Sequence, residues 1–180
     1  MPMDTTPLSP RCFPMRIALI LVLALTACDA SDLTTAAVGS GTLDPVAYFN
    51  GRAEGRAQLH KLIGGSETIL VHSTGRTDSK GGVYLDQRIE EEGKTSRIRH
   101  WHLVPAGPGR LTGTLTDANG PVEARYAEGR LDISYPMKGG LKATQVLLLR
   151  ADGKTIDNRL TVNKLGIQLA RLEEVITKIR

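Results

Sequence analysis

A chain of 180 residues with a formal charge of +4, 41% apolar and only 4% aromatic residues, is sized for one domain plus processing segments. Its basic residues form no run interleaved with aromatics, which argues against a nucleic-acid surface. The two cysteines, Cys12 and Cys28, both lie near the N-terminus, so no disulfide framework is available and the fold must stand on its core.

Arg16 precedes an apolar run, Ile17 to Leu25, about half of the roughly 20 residues a helix needs to cross a bilayer. A charged start, a short apolar centre and small residues before the break form a secretory leader. Leu25-Thr26-Ala27-Cys28 places a cysteine at the cleavage point and a leucine three positions before it, and this resembles the lipobox of bacterial lipoproteins. The resemblance implies that residues 1–27 are a signal peptide and that Cys28 becomes the first mature residue. It would carry a diacylglycerol on its sulfur and an acyl chain, such as palmitate, on its amine. At about 0.8 kcal/mol per buried CH2, several chains make such a membrane anchor permanent in practice. The expected location is the bacterial cell envelope, facing the periplasm. Asp29 points to the inner membrane in the enteric sorting pattern, although other lineages sort differently. Met15 is a more conventional start than Met1, and starting there would remove Cys12 from the protein. The leader contains Arg11, Arg16 and Asp4, so the mature chain is one unit less positive. A mild, dispersed positive charge suits a domain held against anionic headgroups.

Residues 28–42 read as the lipidated cysteine and a flexible tether, small and polar from Ser31 to Gly41. The folded domain is expected over residues 43–180. Asp44-Pro45 starts a short helix, Asp44 capping it and Pro45 at its first position, with Val46, Tyr48 and Phe49 as its packing face. From there, alternating segments broken by turn residues predict ten strands. They run near Ala53 to Leu59, Thr68 to Arg76, Gly82 to Glu91, Thr95 to Val104, Arg110 to Asp117, Val122 to Ala127, Arg130 to Met137, Leu141 to Leu149, Thr155 to Lys164 and Ile167 to Lys178. Glu92-Gly93, Asn119-Gly120-Pro121, Glu128-Gly129 and Asp152-Gly153 mark turns between them. The fold class is therefore all-β, an antiparallel up-and-down barrel or a strongly curled meander. Only the last segment is ambiguous, because Leu165, Leu169, Leu172, Ile176 and Ile179 also follow the spacing of an amphipathic helix.

Tyr48-Phe49-Asn50-Gly51, Arg99-His100-Trp101, and Asn158-Arg159 with Lys164 and Gly166 resemble landmarks of a proteobacterial lipoprotein family catalogued only as domain of unknown function 3833. The resemblance covers about Leu43 to the C-terminus. It implies a lipoprotein leader and a lipocalin-like meander, which tips the last segment toward strand. It carries no function. Gln87 stands where the family is expected to show a glutamate, and Gln145, Val146 and Leu147 stand where it tends to show acids and a tryptophan.

Arg99 and Trp101 share one strand face. If that face looks inward, Arg99 is a cation in an apolar interior, which must be paired. One reading makes it the anchor for an anionic ligand head, with Gln87 as a neutral co-donor. The other, which base rates favour, makes it a structural charge paired to a carboxylate or stacked on Trp101. His100 and His102 take the opposite face. Zinc sites want three or four ligands, so these two are read as solvent-facing rather than as a metal site, and no cofactor is implied. Asn158 and Lys164 alternate to one face and Arg159 to the other, with Gly166 as a bulge or bend. No G-x-S-x-G elbow or phosphate-binding glycine loop is present.

The sequence thus points to a membrane-anchored envelope lipoprotein, with the membrane as one partner and an apolar or amphiphilic small molecule as another. The competing class is a structural or assembly factor with a filled barrel and an exposed apolar patch that docks another envelope protein. An enzyme ranks third, for want of any paired nucleophile and base.

Overall fold

The computed structural model describes residues 41–179. The expectations for the leader, Cys28, Asp29 and all but the end of the tether fall on residues outside that range. After the helix α1 (Pro45–Phe49) come ten strands: β1 (Gly51–Lys61), β2 (Gly65–Thr77), β3 (Val83–Glu91), β4 (Arg97–Pro105), β5 (Arg110–Leu115), β6 (Val122–Ala127), β7 (Arg130–Met137), β8 (Leu141–Leu149), β9 (Thr155–Lys164) and β10 (Ile167–Lys178). Each pairs antiparallel with its neighbours in sequence, and β1 pairs with β10 to close the ring. This is the up-and-down barrel expected from the alternation.

The first five strands differ at their ends from the sequence reading: β1 and β2 are longer at both ends, β3 starts one residue later, β4 is shifted, and β5 is shorter. β5 stops at Leu115 because Ala118 N–H donates back to the Leu115 carbonyl at 3.0 Å, turning the chain through Thr116 and Asp117. The β3–β4 turn extends to Ser96, so β4 begins at Arg97 rather than Thr95. The segment that resembled a helix is a strand, since β10 is hydrogen-bonded on both sides, to β9 and β1. It turns back from β9 through Leu165 (φ 49°) and Gly166 (φ 82°). Positive φ at both central residues is the two-residue hairpin geometry whose twist matches that of the strands. Gly166 therefore makes the turn itself, and the register shift lies further on, between Gln168 and Ala170.

Alternation sends one set of side chains inward on every strand. The main core gathers Leu43, Tyr48, Val83, Leu85, Trp101, Leu103, Leu131, Leu149, Ile156 and Ile176 toward one end, and a second cluster of Ala57, Ile69, Val71 and Ile89 lies toward the other. α1 closes the first end. Asp44 Oδ1 accepts from the N–H groups of Val46 (2.9 Å) and Ala47 (3.3 Å), which caps the first turn. Lys178 Nζ donates to the carbonyls of Ala47, Tyr48 and Asn50 at 2.7, 2.7 and 3.1 Å, satisfying the other end of so short a helix. The Tyr48 hydroxyl donates to Lys154 O at 2.8 Å, tying α1 to the β8–β9 turn. Gly75 admits this plug, because a Cβ there would overlap the Phe49 carbonyl.

Candidate functional site

The end opposite α1 is open, ringed by the β1–β2, β3–β4, β5–β6, β7–β8 and β9–β10 connections. Behind it lies a cavity of about 290 Å³. Ten strands enclose more than the eight that side chains alone can fill, and this chain has few aromatics to occupy the difference. Most of the lining is aliphatic: Leu59, Ile69, Ile89, Leu160, Val162 and Leu172 near the mouth, Val83, Leu85, Leu131 and Leu147 deeper in.

Polar side chains interrupt this lining along neighbouring strands. Ser73 on β2 faces Gln87 on β3, which faces Arg99 on β4. Trp101 Nε1–H donates to Gln87 Oε1 at 2.7 Å, and Gln87 Nε2 donates to Ser73 Oγ at 3.3 Å. Trp101 also meets Tyr135 edge to face, centroids 5.8 Å apart. Gln87 and Trp101 thus satisfy each other. A glutamate at 87 would accept the indole N–H just as well but could not also donate to Ser73. Burial pushes the Tyr135 hydroxyl above its ordinary pKa.

Arg99 lines the cavity but is already engaged: its Nε and Nη2 donate to Asp117 Oδ2 at 2.8 and 2.7 Å. Asp117 also holds Arg97 at 3.2 Å. From there the pairs run along the rim, Arg97 to Glu91 at 3.6 Å, Glu91 to Lys94 at 2.6 Å, and Lys94 to Glu67 at 2.9 Å. The paired-charge reading of Arg99 matches this geometry, with Asp117 rather than Trp101 as its partner.

On the opposite wall, Asn158 (β9) pairs in register with Glu174 (β10), and its Nδ2 donates to Glu174 Oε2 at 2.7 Å. Burial pushes the Glu174 carboxyl above its ordinary value; the Asn158 hydrogen bond and then the Arg99 charge pull the other way. Gly55 on β1 makes room for it, since a Cβ there would overlap the carboxylate. Gln145 on β8 lies one strand beyond Asn158, diagonally placed. Two buried acceptors here have no partner, Gln145 Oε1 and Asn158 Oδ1.

The remaining sequence-stressed residues lie elsewhere. Phe49 packs against the core from α1, and Gly51 (φ 108°) makes the sharp entry into β1. Arg159 faces outward and pairs with Glu173 at 3.1 Å. Lys164 is exposed at the mouth. His100 and His102 are on the outer wall, bonded to Asp86 (2.7 Å) and Asp78 (2.9 Å). Among the described residues, no three of His, Cys, Asp and Glu cluster as a metal site would require. Sequence reasoning did not single out Glu174 or Asp117. The signal for Glu174 was an acid in step with Leu172 and Ile176, legible only once β10 is taken as a strand.

The sequence pattern of a family described as "protein of unknown function (DUF3833)" matches residues 22–178. The chain belongs to this family. No curated protein matches it. Among solved structures, the barrel is similar to the S-type phycobiliprotein lyase CPES from Guillardia theta, with a TM-score of 0.60 at 8% identity, over 75% of this chain and 90% of that one. It is also similar to a protein of unknown function from the DUF3598 family of Nostoc punctiforme, with a TM-score of 0.54 at 9% identity, over 78% of this chain and 51% of that one. At such identities the likeness is one of fold. This DUF3833 member has a lipocalin-like barrel.

Proposed function

We propose that this DUF3833 protein is an envelope lipoprotein, anchored through lipid on Cys28 and facing the periplasm, whose barrel binds or carries a small apolar or amphiphilic molecule. The observation that carries the reading is a cavity of about 290 Å³, open at one end, walled by aliphatic side chains and crossed by a few polar groups. Binding sites commonly have this composition and a volume from about 300 Å³ upward. That the Guillardia theta neighbour is a phycobiliprotein lyase is compatible with such a barrel handling a small molecule.

The test is native mass spectrometry with solvent extraction, on the full chain carrying Cys28→Ala and recovered from a bacterial periplasm. A stoichiometric amphiphile that disappears in the cavity-filling variant Leu160→Trp supports the reading. An empty protein, whose Trp101 emission also ignores added apolar probes, refutes it. The anchor is tested separately: labelled palmitate enters the wild type and not Cys28→Ala.

A second reading, an assembly factor that docks another envelope protein, draws on one observation. Leu62, Ile63, Leu165 and Ile167 stand exposed on the neighbouring β1–β2 and β9–β10 tips. Cross-linking at these tips in the native envelope tests it, and a stoichiometric protein adduct there would favour docking over carriage.

A further inference from the structure

Two buried acceptor oxygens on adjacent strands of the cavity wall have no donor, Asn158 Oδ1 and Gln145 Oε1, and beside them stands the Glu174 carboxylate, whose Oε2 accepts from Asn158. Two of their side chains are deeply buried, Asn158 at 4% and Glu174 at 9% exposure. A buried acceptor left unmet is destabilising by about 1–3 kcal/mol, so a cluster of them is retained where something else supplies the donors. Glu174 has no cation within ion-pair distance among the described residues, and the two cations that line the cavity, Arg97 and Arg99, are both held by Asp117.

We infer that this wall is a subsite for an ammonium group, so that the molecule carried is an alkyl or alicyclic amine whose apolar body fills the aliphatic part of the cavity. The inference rests on the carrier reading and names its ligand class. An –NH3⁺ group brings three N–H donors and a positive charge to a wall that offers two unmet amide oxygens and a carboxylate. A hydroxyl brings one donor. A carboxylate brings none and would set its own charge against Glu174. An anionic head anchored on Arg99 is disfavoured as well, since Asp117 already occupies that guanidinium. Gly55 is part of the subsite, because any side chain there would displace the Glu174 carboxylate.

Trp101, the sole tryptophan, lines the cavity, so its emission reports binding directly. Octylamine, octanol and octanoate are titrated into the full chain carrying Cys28→Ala. Octylamine is expected to bind at least about tenfold more tightly than the other two, and to lose about ten- to a hundredfold in Glu174→Gln, the scale of a hydrogen bond to a charged group. Gln145→Leu, which leaves the Glu174–Asn158 pair intact, should weaken it less and in the same direction. Preference for octanol or octanoate, or an octylamine affinity untouched by Glu174→Gln in a folded variant, overturns the amine assignment and leaves the carrier reading standing. Failure of all three, together with failure of neutral apolar probes, defeats the carrier reading and this inference with it.

Discussion

Replacing Lys178 by methionine tests whether α1 is fastened to the barrel as the geometry indicates. The substitution keeps the unbranched stem of the side chain as far as the ε position and removes the ammonium that donates to three carbonyls of α1 and its cap. A hydrogen bond to a charged group contributes about 1.5–3 kcal/mol. The bonds to Ala47 and Asn50 are solvent-exposed and can be replaced by water, whereas the bond to Tyr48 is partly buried. The sum is therefore well short of three full contributions, about 2–3 kcal/mol. For a domain of this size that lowers the Tm by about 6–10 °C. Urea unfolding followed by Trp101 emission measures it, with Lys164→Met on the exposed β9–β10 turn as a control expected to stay within about 0.5 kcal/mol. If Lys178→Met also stays within that range, the ammonium does not hold the plug.

Gly75→Ala drives a Cβ into the backbone carbonyl of Phe49, which cannot rotate away; a loss of about 1–3 kcal/mol in urea unfolding is expected, and unchanged stability would mean that α1 does not sit so close. Glu174 has a raised folded-state pKa, so the proton it holds stabilises the fold fully below its ordinary value near 4.5, and that contribution is lost as pH rises through the folded value. Glu174→Gln should therefore gain stability relative to wild type on going from acid to neutral pH, and a pH-independent difference in unfolding free energy would refute this. Asp152 behaves oppositely: hydrogen bonds from Thr155 and Lys154 hold its carboxyl down at about 2. Its contribution is present above its ordinary value of 3.8 and disappears as pH falls toward 2, so Asp152→Ala should flatten the acid limb of the stability curve. A limb of unchanged slope would remove Asp152 from that account.

Most of the barrel was legible because strand alternation and turn residues agree. In β3 alternation puts the odd positions Val83, Leu85, Gln87 and Ile89 on one face, and that face lies inward. The candidate site was legible only in part. Arg99 could be placed on an inner face, but its partner Asp117 sits just past the end of β5, in a turn, where alternation assigns no face. Glu174 was hidden by the double period of its segment. At helical spacing an apolar stripe runs through Leu169, Leu172 and Ile176, and position 174 falls away from it; at strand spacing the same residue stands between Leu172 and Ile176, pointing at Asn158. The short resemblance at Asn158 marked the right strand but could not say which neighbours complete its hydrogen bonding.

Ring closure between β1 and β10 bears on how the chain is made. Ala53 is paired with Lys178, so the first strand waits for the last before its second edge is covered. Contacts of such long sequence separation form slowly, and until they form both β1 and β9 offer bare edges to other chains. A nascent chain that has not yet reached Ile167 has no means of completing the ring. A truncation ahead of that residue would yield not a shorter barrel but an open sheet, prone to join its neighbours edge to edge.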